Sequence, residues 1–148
     1  MHSVERSLSY ASKSTFIFQK EGPVIYLVLK SYLLLVSVNT TLKRRGFKLL
    51  YDSLREQPTR NVGEKRRIPH ERLCHAMDLA CVFYPKTVLC LQRSAAAVFL
   101  LRRNGWPAEF VTGCAIGTFE NHAWVELAGQ VVNDKPYMHE MYQVLDRC

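Results

Sequence analysis

The spacing of apolar residues divides the chain into a helical first part and a mixed second part. Residues 1–23 are polar, rich in serine and end at a Gly-Pro pair, so they predict a loosely held tail. From Val24 to Val38 apolar residues are almost continuous, and from there to Leu54 they thin to a helical spacing among lysines and arginines. This pattern predicts one long helix or two shorter ones.

A polar connection separates this region from a second set of elements. Residues 57–69 hold two prolines, a glycine and a cluster of cations, which is typical of a flexible connection. Beyond it, apolar residues recur at helical spacing until Pro85, which ends the predicted helix. The run from Leu89 to Asn104 is rich in helix-forming residues, ends in two arginines that suit the negative end of the helix dipole, and is followed by Gly105 as a C-cap.

Two segments near the C-terminal end favour β-strands. Pro107 to Ile116 and His122 to Asp134 are rich in Val, Phe, Trp and Ile, and glycines interrupt them. Together with the helices they predict an α+β fold. Its parts are a tail (1–23), an N-terminal helical subdomain with its linker (24–69), and a core (70–148) in which a helix packs on a small antiparallel sheet.

Composition is that of one globular domain. The chain has 148 residues, of which 48% are hydrophobic and 22% charged, and this excludes general disorder. The apolar run Val24–Val38 is interrupted by Lys30 and Ser31 and is shorter than the roughly 20 apolar residues that a membrane span needs, so it predicts a buried helix and no span. The first 22 residues lack the pattern of a secretion signal.

The charge bears on whether the chain binds nucleic acid, and the cysteines bear on the cellular compartment. The net charge is +7, but the basic runs are scattered and carry no interleaved aromatic residues, so nucleic-acid binding is only an alternative. The five cysteines cannot all pair and none has metal-ligand spacing, which predicts free thiols in the cytoplasm. Because His70 and Cys74 would give only two ligands, we expect neither a metal nor another cofactor.

The second strand segment carries a histidine and an aspartate that a structural hairpin does not need. With a three-residue turn at Leu127-Ala128-Gly129, His122 faces Asp134, and such opposed residues have Cβ atoms about 4.5–5.5 Å apart. The carboxylate would then accept the imidazole N–H and fix its tautomer. In this register Trp124 and Val132 share the same face and shield the pair from water.

Cys90 lies where the helix after Pro85 begins. The unsatisfied N–H groups and positive dipole end of a helix N-terminus stabilise a thiolate and offer donors to an oxyanion. A thiolate activated by a histidine, which a carboxylate orients, is the arrangement for acyl transfer through a thioester. The order Cys90, His122 and Asp134 therefore predicts a catalytic triad, and the alternative is a core histidine paired with a carboxylate.

Other polar and aromatic residues have a structural and a functional interpretation. Arg93 lies three positions past Cys90 on the same helix and either pairs with a carboxylate or helps to bind substrate. Trp124 is either a core aromatic residue or a wall of the substrate cleft. We expect Cys81 and Cys114 to be small buried hydrophobes and His139 to be a surface residue.

Four short motifs within residues 85–136 resemble one enzyme family. They are the C-L-x-R-S start and the L-L-R-R-x-G end of one helix, H-A-W-V-E in one strand and V-V-N-D in the next. With these motifs the segment resembles the leader peptidase of lasso-peptide biosynthesis, the catalytic C-terminal part of the split B protein. The resemblance implies a transglutaminase- or papain-like cysteine protease core, with Cys90 as nucleophile, His122 as general base and acid, and Asp134 as the residue that orients His122.

The resemblance also implies a function and partners. The enzyme would cleave the leader from a lasso-peptide precursor by thioester-forming hydrolysis in the cytoplasm, without a cofactor. Its partners would be the precursor, a small separate leader-recognition protein that binds the apolar N-terminal helices, and an asparagine-synthetase-like cyclase. The alternatives are a transglutaminase-like amide acyltransferase and a basic nucleic-acid-binding module without catalysis.

Overall fold

The computed structural model describes residues 23–148, so most of the predicted tail, residues 1–22, lies outside the described residues. The helices are α1 (Val24–Glu56), α2 (His70–Phe83), α3 (Cys90–Arg103) and the short α4 (Met138–Met141). The strands are β1 (Ala108–Ala115), β2 (Asn121–Leu127), β3 (Gln130–Val131) and β4 (Tyr142–Arg147). The predicted α+β class is confirmed.

The first helix, α1, is kinked at Gly46. This residue has a φ of 79°, in the left-handed region that favours glycine. The sequence predicted one long helix or two shorter ones, and α1 is a long helix made of two helical segments that meet at Gly46. One face of α1 is buried, whereas Ile25, Leu29 and Leu33 on the opposite face are 73%, 55% and 62% exposed. The prediction of a buried helix is therefore wrong for this face, and by length and composition α1 is also a helix that could cross a membrane.

One hydrophobic core joins α1, α2, α3 and the inner face of the sheet. Leu35 and Leu54 of α1, Met77 of α2, Val98 of α3 and Phe110 of β1 belong to this single cluster. The division of the chain after residue 69 stays a prediction, and in the structure both of its parts supply the same core.

The sheet is antiparallel and has the strand order β3-β2-β1-β4. The short β3 lies at one edge, and β4, for which the sequence analysis gave no strand, lies at the other. Backbone hydrogen bonds in both directions between Phe110 and Cys148 hold the end of the chain beside β1. Asp146 of β4 also accepts hydrogen bonds from Tyr51 and Arg55 of α1, so the C-terminal strand is tied to the first helix.

The connection between α1 and α2 was predicted to be flexible. In the structure its last residues are held against Trp106, just after α3. The Trp106 indole N–H donates to the carbonyl of Ile68 at 2.8 Å, and the Arg67 guanidinium lies 4.9 Å from the Trp106 ring centroid. Arg102 lies in the last turn of α3, where its charge suits the helix dipole, and it also makes hydrogen bonds to other elements. Its buried guanidinium donates to the carbonyls of Leu54, Gln57 and Ala108, so it joins the end of α1 to the start of β1.

Candidate active site

The N-terminus of α3 presents backbone donors that have no partner within residues 23–148. Its N-cap is Leu89, whose side chain cannot accept a hydrogen bond, unlike the Ser, Thr, Asp or Asn usual at this position. Among the described residues, the N–H groups of Cys90, Leu91 and Gln92 make no hydrogen bond, whereas the N–H of Leu89 donates to Gln92 Oε1 and that of Arg93 to the Leu89 carbonyl. The first turn therefore offers donors directly beside the Cys90 thiol.

His122 and Asp134 are in contact at the start of β2. The Nε2–H of His122 donates to Asp134 Oδ2 at 2.9 Å, and both side chains are largely buried, with 23% and 22% exposed. Partial burial acts to raise the pKa of Asp134, but hydrogen bonds from His122 and from the Lys135 backbone N–H outweigh it, so this pKa lies below its ordinary value. An ionised carboxylate here holds the imidazole in one orientation.

The contact forms in a different register from the predicted one. The turn has two residues, Ala128 and Gly129, with φ of 49° and 79°, and it pairs Glu126 with Val131, whereas a three-residue turn would pair Glu126 with Gln130. Continued in the observed register, Asp134 would point to the face opposite His122. The strand ends at Val131 instead, and the chain bends so that Asp134 reaches His122 from a loop.

The same change of register separates Trp124 from Val132, which the sequence analysis placed on one face. Val132 packs on the helix side of the sheet, whereas Trp124 lies on the other side with Met138. Trp124 is fully buried, so the structure supports its interpretation as a core residue and not as a wall of a substrate cleft. Its ring stacks under His122 at 6.3 Å, and the ring of Tyr142 stacks on His122 at 5.1 Å.

A glycine opposite His122 makes room for this stack. Gly113 of β1 pairs with His122 of β2. A Cβ atom at Gly113 would lie 2.7 Å from Cη2 of Trp124 and 3.0 Å from the carbonyl oxygen of Gln143, closer than such atoms normally approach. The indole can therefore lie beneath the imidazole only because position 113 has no side chain.

The second turn of α3 packs against the start of β2. Ser94 lies one turn after Cys90 on the same helix face and donates to the carbonyl of Ala123 at 2.9 Å, next to His122. Within residues 23–148, no hydrogen bond joins the Cys90 sulfur to His122, and His122 Nδ1 has no recorded partner. Nδ1 is therefore the ring nitrogen that Asp134 leaves unengaged.

Arg93 contacts protein groups on both sides. It pairs with Asp78 of α2 at 2.8 Å and donates to the backbone carbonyl of Asn133 at 2.7 Å, which is the structural alternative of the sequence analysis. Ser94 and Asn133 are two buried polar residues that the sequence analysis did not assign. Their signal was their place in the motifs C-L-x-R-S and V-V-N-D, where each is next to a residue that was assigned, Arg93 or Asp134.

Other residues singled out in the sequence lie away from this pair or differ from the expectation. His139 is exposed, as expected for a surface residue, but its Nε2 also lies 2.9 Å from the fully buried Glu126 carboxylate and its ring packs on Trp124. Cys114 is partly exposed rather than buried. In the described part of the chain no group of three or more His, Cys, Asp or Glu side chains is placed to hold a metal ion.

Three of the remaining cysteines sit in surroundings that disfavour a thiolate. Burial raises the pKa of Cys74 to about 11 and also raises the pKa of Cys81 and of Cys148. Cys74 is buried, whereas Cys81 and Cys148, like Cys114, are partly exposed; Cys74, Cys81 and Cys148 are called the raised-pKa thiols below. All five cysteines are free.

Comparison with known proteins gives a family for most of the chain and a relative for part of it. A family model described as the transglutaminase-like superfamily matches residues 32–147. The microcin J25-processing protein McjB of Escherichia coli is 38% identical over 56 residues, which are 38% of this chain and 27% of McjB, so the match spans about a quarter of that relative. No solved structure matches the chain.

Proposed function

The chain belongs to the transglutaminase-like superfamily, and from this membership we propose that it is a cysteine peptidase that removes the leader from a lasso-peptide precursor. The superfamily supports an enzyme, and the similarity to a microcin-processing protein supports lasso-peptide processing in general. The peptidase chemistry and the leader as its target are the further steps of the proposal, and they depend on the site.

The observation that carries the proposal is the His122–Asp134 hydrogen bond of 2.9 Å at the start of β2, the strand to which Ser94 of α3, one turn after Cys90, is hydrogen-bonded. Because Nε2 of His122 is engaged by the carboxylate, the ring is held with Nδ1 available on its other side. Cys90 lies at the N-terminal end of α3, where unpaired N–H groups and the helix dipole favour negative charge. These are the parts that acyl transfer through a thioester requires.

In the proposed reaction the Cys90 thiolate attacks the carbonyl carbon of the last leader residue. The first-turn N–H groups of α3 stabilise the oxyanion of the tetrahedral intermediate. His122 donates its proton to the departing amine, so the core peptide leaves with a free N-terminus and the leader stays bound to sulfur as a thioester. His122 then takes a proton from water, and the resulting hydroxide hydrolyses the thioester and releases the leader with a free carboxylate.

The proposed partners are a separate leader-recognition protein, which delivers the precursor, and an asparagine-synthetase-like cyclase, which takes the core peptide. The apolar face of α1 around Ile25, Leu29 and Leu33 supports a docking site for the leader-recognition protein, because more than half of each of these side chains is exposed. We also propose a cytoplasmic location, which the five free thiols support.

Incubation with a lasso-peptide precursor, with and without a leader-recognition protein, tests the proposal. We expect two peptides whose masses sum to that of the precursor plus one water, and no cleavage by Cys90→Ala. The matched control is Cys114→Ala, which removes another partly exposed thiol. A product that carries an added amine would support amide transfer instead, and cleavage by Cys90→Ala at the native rate would refute the peptidase. Equal rates without the leader-recognition protein would remove that partner from the proposal.

A further inference from the structure

Two polar side chains are buried between the helix that carries Cys90 and the loop that carries Asp134. Ser94 is 1% exposed and Asn133 is 7% exposed. Asn133 directly precedes Asp134, and Ser94 lies one helical turn after Cys90. Because a buried polar group is costly unless it is hydrogen-bonded, the partners of these two side chains show what the chain gains from them.

Every polar atom of the two side chains is used to join different elements. The Asn133 amide donates from Nδ2 to Ser94 Oγ at 2.9 Å, and its Oδ1 accepts the backbone N–H of Val125 at 2.7 Å. The Ser94 hydroxyl in turn donates a hydrogen bond to the carbonyl of Ala123 at 2.9 Å. The loop, the helix and the strand that bears His122 are therefore linked at one point.

Arg93, the neighbour of Ser94 on α3, holds the same loop residue by its main chain. Its guanidinium donates to the carbonyl of Asn133 at 2.7 Å and is itself fixed by Asp78 of α2. Two consecutive residues of α3 thus hold the side chain and the backbone of Asn133. This matters because β3 ends at Val131, so no strand pairing sets the position of Asp134.

We propose that Ser94 and Arg93 are positioning residues, through which the helix that presents the nucleophile also places the carboxylate that orients His122. This inference rests on the proposed function and deepens it. The contacts form a closed ring that runs from α3 through Asn133 to Asp134 and His122, and back to α3 through the carbonyl of Ala123. A movement of α3 therefore displaces the thiol and the carboxylate together, and their relative geometry is kept.

Replacement of Ser94 tests the ring, and the chain contains a matched control. Ser94→Ala removes the hydroxyl that serves Asn133 and Ala123. Ser31→Ala removes an equally buried hydroxyl that has no hydrogen-bond partner among the described residues. We expect Ser94→Ala to lower kcat for precursor cleavage on the order of 10- to 100-fold, with KM unchanged within about twofold, because catalytic geometry and not substrate binding is disturbed. Ser31→Ala should keep the native kcat and KM.

Both variants are assayed at a temperature at which their unfolding curves show a fully folded protein. A second variant, Arg93→Gln, breaks the main-chain contact at a less buried position and should also lower kcat at constant KM. If Ser94→Ala does not fold, Arg93→Gln decides. The inference is overturned if the folded variants keep the native kcat, if the loss lies in KM, or if Ser31→Ala loses as much as Ser94→Ala. An inactive Cys90→Ala beside fully active Ser94→Ala and Arg93→Gln would leave the peptidase standing and remove this inference alone.

Discussion

Replacement of Gly113 by alanine tests whether the stack beneath His122 is as closely packed as the structure shows it. The new Cβ would lie 2.7 Å and 2.9 Å from two ring atoms of Trp124 and 3.0 Å from the backbone oxygen of Gln143. The indole has little freedom to retreat, because it is fully buried and its N–H donates to Glu126 at 2.7 Å. The backbone of β4 is equally unable to give way cheaply.

The size of the effect follows from two opposed contributions. Inserting a methyl group into a filled core costs about 1–3 kcal/mol, and replacing a glycine lowers the entropy of the unfolded chain, which offsets about 0.4–1 kcal/mol. A net loss of about 1–2 kcal/mol corresponds to a fall in Tm of roughly 2–8 °C for a chain of this size. Because Trp124 supports the His122 ring, we also expect precursor cleavage to slow at temperatures at which the variant is folded.

Thermal unfolding monitored by circular dichroism measures the effect, and Gly63→Ala is its control. Gly63 has an ordinary φ of −56° and no atom within 4 Å of a built Cβ, so its replacement should leave Tm unchanged or raise it slightly. A Gly113→Ala variant that unfolds at or above the native midpoint would show that the ring does not fill the space opposite His122, and the argument from close approach would be refuted.

Further tests address the rest of the fold and the site. Arg102→Leu should lower the free energy of unfolding, measured by urea titration, by about 2–4 kcal/mol, because buried carbonyls lose their donor. The control Arg103→Leu, at an exposed position, should change this free energy by no more than about 0.5 kcal/mol. Equal effects of the two variants would contradict the buried role of Arg102. Iodoacetamide with peptide mapping should modify Cys90 ahead of the raised-pKa thiols, and prior reaction of any of these three would count against an activated Cys90. Because the pKa of Asp134 is lower in the folded state than its ordinary value of about 3.9, its ionised form stabilises the fold above that value, and this contribution is lost as the pH falls through the folded pKa. The stability difference between the native chain and Asp134→Asn should therefore shrink below about pH 4, and a difference independent of pH would contradict the assigned shift.

The helices could be read from the sequence because the interactions that form them are local. The run Leu89–Asn104 predicts a helix that the structure places at Cys90–Arg103, and Gly105 ends it with a φ of 87°. Helix formers, dipole-compatible arginines and a C-terminal glycine all act within one or two turns of the residues they affect. The position of Cys90 at a helix start, and with it the nature of the candidate site, therefore follows from neighbours in the chain.

Strand pairing was decided by the tertiary structure. A turn of two residues in place of three shifted the register of the last hairpin, and since side chains alternate across a strand, that single step moved Trp124 and Val132 to opposite faces. The His122–Asp134 contact survives because the chain leaves the strand after Val131 and α3 holds the following loop. No local rule contains that contact.

What the sequence determined by itself is the set of local elements and the chemistry available at their ends: a thiol at a helix start, and an imidazole and a carboxylate near a glycine turn. What only the tertiary structure decided is how distant segments meet. It set the pairing of β4 with β1, the burial of Arg102 under α1 and the fixation of Asn133 by α3. The contacts of Arg102 with Gln57 and of Arg93 with Asn133 join residues 45 and 40 positions apart in the chain. Such contacts form only when the whole core is assembled. The residues next to each partner in the sequence therefore do not predict the contact.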